Sequence, residues 1–597
     1  MATRQPLGNL RQFLQLLRRE NQLATIEVEV DPYLEAAEIH RRVIQQGGPA
    51  LLFKRIRGSR FPVVTNLFGT PQRIDLAFGR GPRQLVQQVA TLAQTLLPPR
   101  LGRLWGHRNL AWEALKLGTR RVQRGPVLEC SQQPADLSRL PILTTWEQDG
   151  GPFITLPLVY TQHPGNGSHN LAIYRLQVYD SQSTGMHWQI QKGGGFHYDL
   201  AESSNEALPV TVFLGGPPSL ILAAIAPLPE NVGELMVASL LAGRRIPMVH
   251  PGGSPHPFPM EAEFVLQGTV PPGRRRREGP FGDHYGYYSP AHEYPVFQVQ
   301  RLLHRRDAIY PATVVGKPRQ EDFFIGDYLQ ELLSPLFPLV MPGVRDLWSY
   351  GETGFHSLAA AVVRERYGRE AMASAFRILG EGQLSLTKIL MATDTPMNLR
   401  DFPALLQHVL ERIEWETDFF ILSNLSMDTL DSCGPRINQG SKAILLGMGE
   451  PKRELPRQFQ GEIPAGVEEV AAFCPGCLVI GGSSFSEEPA QPERLVRWPD
   501  FQSWPLLILT DDPSIAQDSS RFLWSVFTRF EPAADVHAAQ TTVQRHHLCY
   551  HAPILVDARM KPSYPPEVAS SPDVARTVDR RWREYFPKSG EWRVESD

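Results

Sequence analysis

Cysteine is scarce in this 597-residue chain: Cys130, Cys433, Cys474, Cys477 and Cys549 are the whole set. An odd, sparse set excludes a disulfide-built scaffold and fits reduced thiols, hence an expected cytoplasmic location. Cys474-Pro-Gly-Cys477 has CxxC spacing, yet no second CxxC accompanies it. The expectation is two buried thiols beside a turn, the rival readings being a redox pair or half a zinc site that His546, His547 and Cys549 would complete through folding. Long apolar runs are missing too: nowhere do about 18 apolar residues follow one another, so no membrane-spanning helix is expected. Peripheral membrane contact stays open. The N-terminus lacks the uninterrupted apolar stretch of a signal peptide. Charge of one sign is absent as well, with 60 Lys and Arg against 63 Asp and Glu and a net charge of −3. That balance points to no nucleic-acid partner, and Arg274 to Arg277 read as a solvated loop. No GxGxxG follows a strand, which argues against a nicotinamide-dependent oxidoreductase.

What is present is ordinary globular material. Hydrophobic residues make up 42% and charged residues 21%, so disorder is not the default. The chain is too long for one core and divides into several domains. Residues 1–120 read as an α/β unit. Leu10, Phe13, Leu14 and Leu17 line one helical face, and strands are expected at Ala24–Val30, Ala50–Phe53 and Pro62–Thr65. A helix is expected over Tyr33–Gln46, and 84–117 reads as helical with a break at Pro98-Pro99.

Residues 121–320 hold short strands with recurrent glycine and proline. The better ones are Ile154–Tyr160, Leu171–Tyr179, Met186–Ile190, Val210–Leu214 and Phe264–Val270, with one helix over Val232–Ala242. That spacing predicts an antiparallel barrel. Residues 321–597 alternate helix and strand, predicting a layered α/β domain. Two stretches repeat one design. Lys388–Asp394 leads into a helix at Phe402–Ile413 and then Phe419–Leu422; Leu506–Asp511 leads into Ser519–Phe530 and then Ile554–Asp557. Two diverged copies, about 321–450 and 451–597, are one reading. The other is that any α/β domain repeats such units.

Chemistry concentrates between Asn170 and Asp283. Arg175 keeps its proton at any relevant pH and can hold carboxylates in a fork. Glu278 and Asp283, with Gly279, Pro280 and Gly282 between them, sit on a stretch that excludes helix and suits a tight loop. Two carboxyl groups near one guanidinium titrate apart, which suits acid–base work. A loop of solvated charges is the competing reading.

Asn170-Leu-Ala-Ile-Tyr-Arg175, Leu228-Pro-Glu-Asn-Val-Gly-Glu234, Glu278-Gly-Pro-Phe-Gly-Asp283-His-Tyr-Gly-Tyr-Tyr, Thr387-Lys388-Ile and Gly440-Ser-Lys442 occur in this order. With them the chain resembles the UbiD family of prenylated-flavin-dependent decarboxylases, which includes the 4-hydroxy-3-polyprenylbenzoate decarboxylases. The resemblance implies a mixed α+β and α/β multidomain fold: an N-terminal α/β domain, a central split β-barrel holding the flavin, and a C-terminal α/β oligomerisation domain. It implies catalytic roles for Arg175, Glu278 and Asp283, the last acid delivering the proton that replaces carbon dioxide. It implies prenylated FMN contacts from Asn170, Ile173, Tyr174, Arg175, Gln177, His197, Glu234 and Lys388.

A Mn²⁺ or Mg²⁺ ion would be held by Asn170, His197 and Glu234 against the cofactor phosphate, which Lys388 also reaches. A potassium ion belongs near Ala223–Pro227. His187 is the alternative to His197 as metal ligand; the place after Gly193-Gly-Gly195 favours His197. Tyr287 and Tyr288 read as packing. The implied partners are a small aromatic acid substrate, a flavin prenyltransferase that supplies the cofactor, and further copies of the chain in a homo-oligomer. Asp at 283, where Glu also occurs in the family, leans toward an aromatic hydroxy acid of quinone biosynthesis. A menaquinone-route naphthoate, another phenolic acid, or a non-catalytic binding role are the rival readings. The chain departs from the family in length, because the segments following the phosphate lysine are split between the two stretches described above.

Overall fold

The computed structural model describes residues 7–79, 81–96, 117–188, 193–226, 232–317 and 319–587. The chain forms two compact units, one of Met1–Leu332 with Glu567–Asp597 and one of Leu333–Pro566. In the first unit, the helix Leu10–Arg19 begins at Asn9, whose side chain accepts from Gln12 N at 2.9 Å, the N-cap arrangement. Its apolar stripe of Leu10, Phe13, Leu14 and Leu17 is buried. It packs with a four-stranded sheet of Leu23–Val30, Ala50–Ile56, Val63–Thr65 and Tyr310–Pro311. The helix read over Tyr33–Gln46 spans Glu35–Gln45. Of the 84–117 segment, Gly81–Leu96 is helical; the Pro98-Pro99 break lies outside the described residues.

Among the described residues the central sheet has ten strands, all paired antiparallel. Its main path runs Phe153–Ile154, Leu176–Asp180, Ser183–Gly185, His292–His304, Ala262–Val270, Leu208–Gly215, Leu158–Gln162 and His169–Ile173. The path is open, a half-barrel in which the end strands do not pair with each other. The expected strand Leu171–Tyr179 is two strands, His169–Ile173 and Leu176–Asp180, interrupted at Tyr174-Arg175. Of the strand expected at Met186–Ile190, 186–188 are not strand and 189–190 lie outside the described residues; the strand found next to it is Ser183–Gly185. Two helices were not legible, Gly193–Ser203 and Pro218–Ile225. Three glycines open the first, and the second is apolar almost throughout, so neither carries a helical periodicity.

The second unit contains two five-stranded sheets. One is ordered Val344–Ser349, Leu358–Val363, Ile389–Thr393, Gln439–Gly447, Phe419–Ser426; the other Val467–Cys474, Cys477–Gly482, Leu506–Thr510, His547–Asp557, Val536–Gln544. Each has two parallel pairings inside and an antiparallel pairing at either edge. Cys474 and Cys477 are buried, face each other across a hairpin turn and are not disulfide-bonded.

The reading of 321–597 as one domain needs correction at its end, because the helix Pro572–Tyr585 belongs to the first unit. Its buried face, Val578 and Tyr585, packs against the helix Glu35–Gln45. Arg581 and the Tyr585 hydroxyl both engage Glu35, and Arg42 Nη2 donates to Ala575 O at 3.0 Å. Among the described residues no helix is long and apolar enough to cross a membrane. Tyr585→Ala is expected to destabilise the first unit by about 3–5 kcal/mol, the cost of emptying an aromatic site. Tyr585→Phe, which removes only the hydroxyl, should cost about 1–3 kcal/mol. Urea titration of both variants would measure the difference.

Candidate active site

Two clusters of polar side chains lie in the central sheet region, and the break at Tyr174-Arg175 contributes to both. In a strand successive side chains alternate faces; interrupting the ladder frees Arg175 from that alternation. The Arg175 side chain is 12% exposed. Its Nε donates to Glu278 Oε1 at 3.3 Å, its Nη1 pairs with Asp283, and its Nη2 donates to Ser289 Oγ at 3.0 Å. The Phe281 ring lies 4.6 Å from the guanidinium carbon.

Glu278 ends the strand Arg275–Glu278, and Phe281-Gly282 pairs with Tyr288-Ser289, so the acidic loop returns to Arg175 from both sides. Gln177 tethers that loop: its Oε1 accepts from Gly279 N at 2.7 Å and its Nε2 donates to Gly150 O at 2.6 Å. Asp149 holds the other end by accepting from Gly282 N at 2.8 Å. Gln177, matched to the cofactor by resemblance, here has the loop backbone as its partner.

The electrostatics follow from burial against charge. Burial alone would raise the Asp283 carboxyl, but Arg175 and the hydrogen bonds from His284 outweigh it and hold it well below the usual carboxylate range. His284 Nδ1 lies 2.7 Å from Asp283 Oδ1. Burial opposes charge on Arg175, yet Asp283 and Glu278 together raise its pKa. His187 Nδ1 lies 2.8 Å from Glu278 Oε1, and its ring sits 4.3 Å from that of Tyr294. Burial and the nearby Arg175 keep this imidazole toward its neutral form. The second oxygen of Glu278 is buried without a hydrogen-bond partner among the described residues. Gly185 makes room for it, since a Cβ there would stand 2.5 Å from Oε2.

The second cluster surrounds Asn170. Glu234 opens the helix Glu234–Leu241, and its Oε2 accepts from Leu171 N at 3.2 Å. Burial raises its pKa, opposed only by backbone hydrogen bonds. His197 Nδ1 is 2.9 Å from Thr161 Oγ1, and Thr161 is the cross-strand partner of Asn170. Burial, with His163 and His169 nearby, pushes the His197 imidazole down to about 4. Tyr174 is buried, its hydroxyl pushed up to about 12 by burial and accepting from Gly194 N at 3.3 Å. Ile173 is partly buried at the end of its strand.

His187 and His197 thus separate: the first joins the Arg175 cluster, the second lies on the Asn170 side. Lys388 lies in the second unit, fully buried and 2.8 Å from Asp431. Burial would lower its pKa, but Asp431 raises it. Tyr287 and Tyr288 are buried. The sequence reading missed His169, whose Nε2 is 3.9 Å from Glu234 Oε2, and the supporting roles of Asp149, His284 and Ser289. Adjacency to Asn170 and Asp283 was the available signal for His169 and His284; nothing local marks Asp149 or Ser289.

Comparison with known proteins agrees with this architecture. The N-terminal, Rift-related and C-terminal domain profiles of UbiD, 3-octaprenyl-4-hydroxybenzoate carboxy-lyase, match residues 14–93, 120–318 and 323–447. A Chlamydia pneumoniae protein, named as one of the subunits of a 4-hydroxybenzoate decarboxylase, is 50% identical over 97% of this chain and 98% of its own. The closed form of the Sedimentibacter hydroxybenzoicus vanillic acid decarboxylase superposes with a TM-score of 0.67 at 24% identity, covering 77% of this chain and 96% of that one. An evolved dimeric form of the enzyme HmfF from Pelotomaculum thermopropionicum, in complex with prenylated FMN, does so at 0.61 and 24%, covering 76% and 97%.

The Arg175–Asp283 pair has a pH signature. The folded pKa of Asp283 lies below its unfolded value of about 3.9. The stabilisation is therefore fully present above that unfolded value and is lost as pH falls toward the folded one. Asp283→Asn is expected to cost about 3–5 kcal/mol near neutrality, because it strips a buried cation of one partner. It should also flatten the stability profile below about pH 4. Urea midpoints measured from pH 2 to 7 would check both effects.

Proposed function

Since the chain belongs to the UbiD family of carboxy-lyases, we propose that it removes carbon dioxide from an aromatic hydroxy acid without net oxidation, using prenylated FMN and a divalent cation. The observation that carries this reading is the largely buried Arg175 shared by Glu278 and Asp283. The substrate class is a 4-hydroxybenzoate-type acid, supported by the name of the chlamydial relative and by the aspartate at 283. A 3-polyprenyl derivative, as quinone biosynthesis requires, is the specific member we favour.

The residues fit both groups. Asn170 and Glu234 offer hard oxygen donors and His197 an imidazole, a set suited to Mn²⁺ or Mg²⁺. Glu234 is a half-buried carboxylate whose pKa burial raises, and a divalent ion would supply the positive charge that offsets this. Gly193 leaves the approach open, since a Cβ there would stand 2.4 Å from Asn170 Oδ1. Trp188 Nε1 and His169 Nε2 are buried polar atoms without hydrogen-bond partners among the described residues, as expected beside a polar cofactor. Lys388 keeps its assignment to the cofactor phosphate on the resemblance alone.

When bound, prenylated FMN supplies the electron sink that no side chain offers. The chain's own groups orient the acid and manage the proton. Arg175 attracts the substrate carboxylate, and Phe281, packed 4.5 Å from Phe153, gives a flat apolar surface for its ring. A carboxylate that competes for Arg175 weakens the hold on Asp283 and raises its pKa, so proton uptake at Asp283 accompanies binding. Asp283 then delivers that proton to the carbon that loses carbon dioxide. In this reading the unpartnered Glu278 Oε2 is the oxygen left free for the reaction, with Arg175 and His187 fixing the other.

Glu278→Gln is expected to lower carbon dioxide release by about 10²-fold or more while prenylated FMN stays bound. The assay is protein co-produced with a flavin prenyltransferase, with mass spectrometry and absorbance for the cofactor and headspace carbon dioxide for turnover on 4-hydroxybenzoate. Near wild-type turnover would remove Glu278 from the reaction. Gly193→Ala should weaken Mn²⁺ binding by calorimetry; an unchanged affinity would take Asn170 out of the metal set.

A further inference from the structure

The two sheets of the second unit correspond residue by residue. Ile389 lies between Leu358 and Ala443 in the first, as Leu506 lies between Cys477 and Ile554 in the second. Each third strand is followed at once by an acidic residue, Asp394 or Asp511, and then by a helix, Phe402–Arg412 or Ser519–Phe527. A shared motif follows: Arg412-Ile-Glu414-Trp-Glu-Thr-Asp418 in one, Arg529-Phe-Glu531-Pro-Ala-Ala-Asp535 in the other. Its local structure is the same in both. Asp418 Oδ2 accepts from Glu414 N at 3.0 Å, and Asp535 Oδ2 accepts from Glu531 N at 2.7 Å. Chance repetition of a strand–helix unit does not reproduce a capping contact at matching positions.

The contacts between the copies are reciprocal. The short helix Trp415–Asp418 of the first copy lies against the strand His547–Asp557 of the second. The matching helix Pro532–Asp535 of the second lies against Gln439–Gly447 of the first. That exchange is the signature of an isologous, two-fold interface. A single hydrophobic core runs through both copies, with Phe402 of one meeting Phe473 and Phe522 of the other. It closes around a cavity of about 40 Å³ lined only by apolar side chains from both sides. Polar pairs seal the rim: Ser441 Oγ donates to Glu531 Oε1 at 3.0 Å, and His551 Nδ1 lies 2.9 Å from Glu416 Oε1.

We propose that the second copy is a covalently attached partner that occupies the self-association face of the first, so that this two-fold interface forms within one chain. A copy on its own would expose Met391, Phe402, Leu406, Val409 and Phe419, an apolar face that a second protein surface must cover. The structural relatives have one copy fewer in length: they match about 96–97% of themselves but only 76–77% of this chain. The C-terminal family profile ends at 447, before the second copy. One of those relatives is known in an evolved form that is dimeric. Here the copies have also diverged in complementary ways. Pro505 and Pro553 stand where the first copy has the buried Lys388 and Lys442. The buried Asp557–Arg559 pair of the second has Leu446 and Met448 as its counterparts. The copies are not interchangeable, and in the proposed arrangement the second copy sits on this face where a further chain would otherwise sit.

The test uses the full chain carrying Glu416→Cys and His551→Cys, treated with a short bismaleimide and analysed by denaturing gel and peptide mass spectrometry, with the parent chain as control. The expected result is a peptide linking positions 416 and 551 in a band of single-chain mass. A 416–551 link confined to a band of twice that mass would mean that the face is filled by another chain. No link, with both cysteines reactive toward a monofunctional maleimide, would mean that the copies do not meet there. Either of those results overturns the proposal.

Discussion

The first unit depends on one buried cation with two carboxylates around it. A guanidinium cannot shed its charge to escape burial, so Arg175 is stable only while Glu278 and Asp283 compensate it. The surrounding architecture secures that compensation. The interruption at Tyr174-Arg175 aims the guanidinium, Gln177 and Asp149 pin the two ends of the acidic loop, and Ser289 takes a remaining donor. Because the pair sits in low dielectric, small displacements alter its energy strongly. The tethers are therefore hydrogen bonds to backbone, which hold position better than long side chains in water do.

The Asn170 cluster shows the opposite imbalance. It gathers oxygen donors and imidazoles that burial keeps near neutrality, and among the described residues no Lys or Arg is paired with Glu234. The two clusters are four and five residues apart along one stretch, Asn170 to Tyr174 to Arg175, so a single break in a strand orients both. One cluster already has its positive charge and can receive an acid. The other lacks one, and it is there that the divalent ion is proposed. This division explains why a short stretch of sequence carries so much of the family likeness.

Composition and periodicity made the layered N-terminal unit, the antiparallel centre and the α/β C-terminal half legible, because each rests on apolar patterning that a window of residues reveals. The acidic loop was legible for a different reason, its glycines and proline excluding a helix around two carboxyls. What escaped depended on distant partners. His187 resembled a metal ligand until folding placed it on Glu278. Asp149 and Ser289 reach the loop from far along the chain or across a hairpin, and no local pattern announces them. The helix Gly193–Ser203 was hidden by its own glycines, and at Gly193 and Gly194 the side chains of Asn170 and Trp188 leave no space for a Cβ. The return of Pro572–Tyr585 to the first unit rests on Glu35, more than five hundred residues away.

The second unit adds a constraint of another kind. A two-fold interface made by identical chains must use the same residues twice, so any change that helps one side is imposed on the other. Joining the two sides in one chain removes that restriction. Lys388 with Asp431 persists in one copy and Asp557 with Arg559 in the other, each where its counterpart position has become apolar or proline. The motif at Arg412–Asp418 and Arg529–Asp535 stays common to both because it caps its own turn and does not depend on the partner. What local folding requires has been kept in duplicate; what the interface or a ligand requires has been divided. A chain built this way fixes the ratio and orientation of the two sides at synthesis, and the geometry on this face no longer depends on protein concentration.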